Sequence, residues 1–204
     1  MPKRQRSNLL SLAVLALLHE RPMHPYEIAS IMRQRGLSNS IRLNTGSLYS
    51  CVESLKQRGM IRELETVKVG NHPERTIYAP TEQGREEFFD WLCTLLRKPE
   101  KEYTHLAAGL AFIAHLRPDD AASLLKERAE ALQKQVDEMK GSVREVLDQG
   151  VDRLFLIEEE YAIQLLEAEL EWIRRLIRQI EDGTLTRLSD GHRTWKITME
   201  PEQD

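Results

Sequence analysis

Thr45-Gly46-Ser47-Leu48-Tyr49-Ser50-Cys51-Val52-Glu53-Ser54-Leu55-Lys56-Gln57-Arg58-Gly59-Met60-Ile61 is the stretch on which the fold turns. Leu48, Val52 and Leu55 recur by four and three, the repeat of one helical face. Asn44 or Thr45 is suited to cap the start, and Gly59 to end the helix, so it runs to about Arg58. The pattern then changes character. Met60–Val69 is rich in β-branched residues, Gly70-Asn71-His72-Pro73 is dense turn chemistry, and Thr76-Ile77-Tyr78 is a second short strand, so a hairpin follows the helix directly.

Working outward, two more helices precede it. Asn8 to His19 is mostly apolar and is broken by Arg21-Pro22. Residues 25–35 start on Pro25, which suits a first helical turn, turn Tyr26, Ile28, Ala29, Ile31 and Met32 inward, and stop at Gly36. Downstream, Thr81 caps a fourth helix with Phe88, Phe89, Trp91, Leu92 and Leu95, ending near Lys98-Pro99. The order helix, helix, helix, hairpin, helix predicts a winged helix-turn-helix over residues 1–98.

The second half is helical throughout, so the expected class is mostly α with a small β-hairpin. A short helix is predicted over 104–116, a long one from Pro118 to Leu147, and another over 152–182 after Gly150. In the first long helix Leu125, Ala129, Leu132, Val136, Met139, Val143 and Val146 alternate by four and three; in the second Ile163, Leu166, Leu170, Ile173, Ile177 and Ile180 do the same. Such seams resemble those of coiled coils. A further apolar line, Tyr161, Leu165, Ala168, Trp172 and Leu176, gives the last helix a second sticky face. One face is satisfied within the subunit and the other calls for a partner chain, unless both fold back on the same subunit. The dimer contact is expected at Leu166, Leu170, Ile173, Ile177 and Ile180. The domain expectation is therefore 1–98 for DNA binding, 99–182 for helical dimerisation, and 183–204 as a polar C-terminal tail in which Thr194–Ile197 forms a strand or strap.

Charge supports this division. The chain of 204 residues has a net charge of −4, 30% charged residues and a mean hydropathy of −0.49. Residues 1–98 hold 15 Lys+Arg against 10 Asp+Glu, and residues 99–204 hold 14 against 23. A basic head on an acidic body is the asymmetry expected when one end meets phosphate. No run approaches the roughly 20 apolar residues that span a bilayer. The run Leu9–Leu18 is interrupted by Ser11 and is followed by no small-residue cleavage site, so a cytoplasmic protein without a membrane partner is expected. Cys51 and Cys93 are too few for a disulfide framework or a thiolate zinc site. The six histidines form no metal-binding pair, and neither an HExxH motif nor a Gly-rich phosphate loop occurs. Glu158-Glu159-Glu160 reads as a solvated patch. No enzyme activity, metal or cofactor is expected.

With Leu48, Val52 and Leu55 inside, the outward line of the third helix reads Ser47, Ser50, Cys51, Ser54 and Arg58: hydroxyls and a thiol ending in a cation, with no carboxylate. Serine hydrogen-bonds base edges and phosphates alike but discriminates weakly. Thr45-Gly46-Ser47 offers backbone amides to a phosphate at the helix start, and Tyr49 lies where its hydroxyl reaches phosphate, unless it packs in the core. Arg42 precedes the helix, Arg33 and Arg35 end the one before, and Arg62, Lys68 and Arg75 line the hairpin. Lys3, Arg4 and Arg6 form a basic arm. The expected partner is double-stranded DNA, contacted by Arg42, Thr45, Gly46, Ser47, Tyr49, Ser50, Ser54, Arg58, Lys68 and Arg75. Cys51, on that face, would also be placed to block binding when oxidised. The competing reading is a winged helix that binds protein without specific DNA recognition; the basic head argues against it.

The runs Met23-His24-Pro25-Tyr26-Glu27-Ile28, Thr45-Gly46-Ser47-Leu48-Tyr49, Leu55…Gly59-Met60-Ile61 and Arg75-Thr76-Ile77-Tyr78-Ala79-Pro80-Thr81-Glu82-Gln83-Gly84 together resemble the PadR family of regulators over about residues 8–90. The departures are Pro25 for the usual Gly, Ser47 for Thr or Ala, and Ala79-Pro80 before the Thr. The second half resembles the longer helical C-terminal domains of that family. The resemblance implies homodimers on palindromic operators, repression as the usual outcome, and often release by a small-molecule effector. Trp91, Phe112, Phe155 and Trp172 are the aromatic candidates for an effector pocket, though aromatics at helical spacing more often fill a core.

Overall fold

The structure is a computed structural model that describes residues 8–37, 40–67 and 75–196. The chain divides into two compact units, residues 1–101 and 102–204.

The first unit runs α1 (Leu9–Glu20), α2 (Pro25–Gln34), α3 (Thr45–Gln57), β1 (Ile61–Val67), β2 (Arg75–Pro80) and α4 (Glu82–Arg97). Each helix starts where a side chain can accept from an orphan amide. Asn8 Oδ1 accepts from Leu10 N at 3.1 Å, His24 Nδ1 from Tyr26 N at 3.0 Å, and Thr81 Oγ1 from Gly84 N at 3.1 Å. The apolar α1 is buried on most of its circumference, with Leu10, Val14, Leu15, Leu17 and Leu18 packed against Ile28 and Met32 of α2 and Leu48, Val52 and Leu55 of α3. The predicted hairpin is present as an antiparallel β1–β2 pair, Ile61 opposite Pro80, with a bulge at Leu64. Met23 adds to it: its N–H donates to Tyr78 O at 3.2 Å and its carbonyl accepts from Tyr78 N at 3.1 Å, so the chain between α1 and α2 forms a third rung.

The joint between hairpin and α4 explains the sequence Thr81-Glu82-Gln83-Gly84. Met60 O accepts from Thr81 N at 2.9 Å and from Thr81 Oγ1 at 3.1 Å. Gly84 lies against the same carbonyl so closely that a Cβ there would sit 1.9 Å from Met60 O. No other residue type fits without moving the backbone.

The second unit runs α5 (His105–Ala111), a 3-10 turn (Ile113–His115), α6 (Pro118–Asp148), a second 3-10 turn (Arg153–Leu156), α7 (Ile157–Glu181), β3 (Thr186–Ser189) and β4 (His192–Trp195). α6 and α7 are antiparallel: Lys126 reaches Glu181 at 2.6 Å, Arg174 donates to Gln133 at 2.9 Å, and Lys140 reaches Glu167 at 2.5 Å, one number falling as the other rises. Between them Leu125, Ala129 and Leu132 bury against Leu170, Ile173, Ile177 and Ile180.

That packing bears on the residues expected at the dimer contact. Leu170, Ile173, Ile177 and Ile180 are buried by their own α6, with Leu166 partly buried beside them, so this seam is spent within the subunit. The face of α7 left open is the other apolar line: Tyr161 is 65% exposed, Leu165 53% and Trp172 43%. Two seams of equal period on one helix cannot be ranked from the sequence. What ranks them is which one α6 meets after the turn at Gly150, where φ is +85°.

The stretch expected to be a polar tail, with a strand or strap at Thr194–Ile197, is more ordered than composition implies, and its last strand includes Thr194 and Trp195. Over Thr186–Trp195 it is a second hairpin, Thr186 opposite Trp195. Trp195 packs against the α6–α7 core and donates from Nε1 to Leu116 O at 2.8 Å; Arg193 pairs with Asp119 at 3.0 Å; buried Thr186 donates to Ile180 O at 2.7 Å. One tryptophan and a few well-placed donors hold a segment whose composition is polar. Among the described residues, no helix is long and apolar enough to cross a membrane.

Candidate nucleic-acid interface

The head presents one polar helix whose geometry is fixed at both ends. At its start, Asn44 Oδ1 accepts from Gly46 N at 2.9 Å and from Ser47 N at 3.5 Å. These amides, expected to face a phosphate, are already engaged by the cap. At its end, Met60 N donates to Leu55 O and Gly59 N to Lys56 O, each at 2.9 Å, with Gly59 at φ +71°. This is the Schellman closure, which favours glycine because a Cβ is strained at that φ.

Leu48, Cys51, Val52 and Leu55 are buried and fix the inner face. Cys51 is therefore not on the outward line. It is 3% exposed, its Sγ lies 3.1 Å from Ser11 Oγ of α1, and burial pushes its thiol pKa up. A redox sensor needs an accessible thiol of depressed pKa; Cys51 is neither, and behaves as a small apolar residue.

Thr45, Gly46, Ser47, Ser50, Ser54 and Arg58 are all exposed along α3. Tyr49 is 46% exposed, so it too lies outside the core. Arg42 is exposed just before the helix, and Arg62 on β1. Arg75 opens β2, while Lys68 and the arm Lys3, Arg4 and Arg6 lie outside the described residues. Arg33 is exposed at the end of α2, but Arg35 is committed elsewhere, donating to both carboxylate oxygens of Glu20 at 2.5 and 2.8 Å. Three exposed residues of α3 lie outside the face the sequence defines: Glu53, whose Oε1 accepts from Gln57 Nε2 at 3.1 Å, Gln57 itself, and Lys56. Lys56 reaches across to Glu63 of β1 at 2.6 Å and links helix to hairpin.

Residues 14–90 match the family described as Transcriptional regulator PadR-like family. Over those residues the head is similar to the PadR-like regulators. The matched span begins inside α1, ends inside α4, and takes in α2, α3 and the hairpin, so the whole polar helix and its supports lie within the PadR-like head. Among curated proteins, the Negative transcriptional regulator PadR of Bacillus subtilis is 24% identical over 139 residues, covering 68% of this chain and 75% of that protein. Among solved structures, B. subtilis PadR in complex with operator DNA matches at a TM-score of 0.71 and 20% identity, over 85% of this chain and 99% of that one. The same protein in complex with p-coumaric acid matches at 0.71 and 18%, with the same coverage. A PadR-like transcriptional regulator from Bacillus cereus matches at 0.58 and 19%, over 85% of this chain and 98% of that one. The likeness covers most of both units, so the chain has the fold of these regulators, helical second half included.

Proposed function

We propose that this regulator binds an operator in double-stranded DNA as a homodimer, represses from it, and is released by a small-molecule effector. The observation that carries the reading is α3: a helix capped at both ends, buried on one face and polar on the other, with Ser47, Ser50 and Ser54 among its exposed side chains, inside a head similar to that of the PadR-like regulators. A major groove admits such a helix, and short hydroxyls let its backbone come close. In this reading Thr45, Gly46, Ser47, Tyr49, Ser50 and Ser54 face the groove and its edges. Arg42, Arg58, Lys68 and Arg75 meet phosphates, which hold the helix in register without reading sequence. The effector arm rests on the B. subtilis relative, which was solved with p-coumaric acid. The second copy docks on the open face of α7. The head (1–98), the helical part (99–182) and the following segment then serve DNA binding, pairing and bracing. The site of action is the cytoplasm, and no catalysis enters the reading.

The test is binding to the duplex upstream of the protein's own gene, followed by fluorescence anisotropy as salt rises. About 6–10 phosphate contacts would lower affinity about 10³- to 10⁵-fold between 50 and 200 mM salt. Ser50→Ala and Arg75→Ala are expected to weaken binding while light scattering still reports a dimer. Unchanged affinity in both variants would refute the assignment of the interface. Binding with no salt dependence would favour a protein-binding winged helix instead.

A further inference from the structure

Glu53 is a carboxylate on the helix that the proposed function points at a polyanion. The buried side of α3 locates it closely. Directly opposite Leu48, Cys51, Val52 and Leu55, at spacings of four, three and four, lie Gly46, Ser50, Glu53 and Gln57, all exposed. Ser47 and Ser54 flank this midline on one side, Tyr49 and Lys56 on the other. Glu53 is thus not a rim residue but the centre of the outward face. Its Oε1 is held by Gln57 Nε2 at 3.1 Å, a neutral donor, while the neighbouring cation Lys56 is engaged by Glu63 at 2.6 Å. Among the described residues the second oxygen, Oε2, has no hydrogen-bond donor, which keeps its lone pairs for one in front of the helix.

Few groups in a major groove can face it. An ionised carboxylate only accepts hydrogen bonds. Phosphate oxygens, purine N7, guanine O6 and thymine O4 are acceptors too and repel it. The groove's donors are the exocyclic amines, N4 of cytosine and N6 of adenine. On its own base, adenine N6 stands beside the acceptor N7, which opposes a carboxylate, whereas cytosine N4 stands beside C5–H. Cytosine is the base that fits.

We propose that Glu53 is the specificity-determining residue of α3, accepting a hydrogen bond from the exocyclic amine of a cytosine in the operator half-site, with Gln57 as its positioning residue. This rests on the reading of α3 as the groove helix. It supplies the discrimination that a row of serines lacks.

The experiment is selection from a randomised duplex pool with the full chain, its Glu53→Ala and Glu53→Gln variants, and Gln57→Ala. Circular dichroism confirms that each variant is folded, as an exposed position permits. The wild type is expected to enrich a motif with a fixed cytosine. Glu53→Ala makes that one position degenerate, lowering discrimination there about tenfold. Glu53→Gln moves the preference to adenine, whose N6 and N7 match an amide, and Gln57→Ala relaxes the same position to a smaller degree. Both Glu53 variants bind random duplex more tightly than wild type, because a like charge facing phosphate is gone. An unchanged motif in Glu53→Ala overturns the proposal and leaves the DNA-binding reading standing. So does a loss spread evenly over all positions, which would make Glu53 a support rather than a reader. If the wild type enriches no motif, the reading of α3 itself fails, and this proposal with it.

Discussion

Two glycines in the first turns of α3 and α4 show what a single methyl decides. At Gly46 an added Cβ meets only Asn44 Oδ1, at 3.5 Å, which is ordinary contact. The fold therefore does not require glycine there, and alanine is the better helix former by up to about 1 kcal/mol. We expect Gly46→Ala to melt no lower than wild type yet to bind operator more weakly, because the methyl stands on the outward midline. Gly84→Ala should do the reverse, costing about 3 kcal/mol or more as the backbone moves off Met60 O; calorimetry and anisotropy on the pair separate the two roles. A Gly46→Ala head that binds DNA as well as wild type would remove the close approach we infer. Cysteine chemistry checks the inner face in the same way. A maleimide should label the exposed Cys93 rapidly in the folded protein and Cys51 only on unfolding. Equal rates would put Cys51 back on the surface, where the sequence reading had placed it. That reading failed for a simple reason. Leu48, Val52 and Leu55 define a face but not its width, and a thiol is polar in composition while apolar in packing. The same narrow view of the face hid Glu53.

At the scale of elements, α1 and α4 meet through a histidine. The ring of His19 on α1 lies 4.9 Å from that of Phe88 and 5.1 Å from that of Phe89 on α4, and its Nδ1 is buried with no hydrogen-bond partner among the described residues. Burial, with Arg85 of α4 nearby, holds its pKa below the usual 6.5. The unfolded chain therefore takes up the proton first as pH falls. The contribution of neutral His19 is complete above about 6.5 and is lost on going down towards its folded value. We expect the head to melt lower at pH 5.5 than at 7.5, and His19→Leu to lose that part of the difference; an identical pH dependence in the variant would show that other groups carry it. Elements like these were the most legible part of the sequence. α2, α3 and β1–β2 lie within a few residues of where periodicity and turn chemistry put them, because caps such as Asn44 and Thr81 and stops such as Gly59 act locally. What sequence did not show is non-local: the rung from Met23 to Tyr78, and the β3–β4 hairpin, which depends on Trp195 finding Leu116 across 79 residues.

At the scale of the whole molecule, the proposed homodimer turns on which face of α7 a second copy would meet. Its inner seam is engaged by α6: Ile173 is fully buried and Ile180 1% exposed, with Leu166 partly buried beside them. The outer line, Tyr161, Leu165 and Trp172, lies along one side of the helix and is open to solvent. Single exposed apolar side chains are normal on any protein, but a line of them at helical spacing marks a contact. Covering each contributes about 1.5–3 kcal/mol if it is fully desolvated. Substitutions should therefore divide cleanly. Leu165→Glu with Trp172→Glu is expected to give a monomer by light scattering with an unchanged helical spectrum. Ile173→Ala is expected to keep the dimer at low temperature but to cost about 2–5 kcal/mol of stability, because it opens a cavity between α6 and α7. The monomer should also lose operator affinity, since two heads tethered by one interface are what match two half-sites at a fixed spacing. A Leu165→Glu, Trp172→Glu protein that stays dimeric would move the interface off α7. A monomer that still binds operator at wild-type strength would leave the interface in place and detach it from recognition.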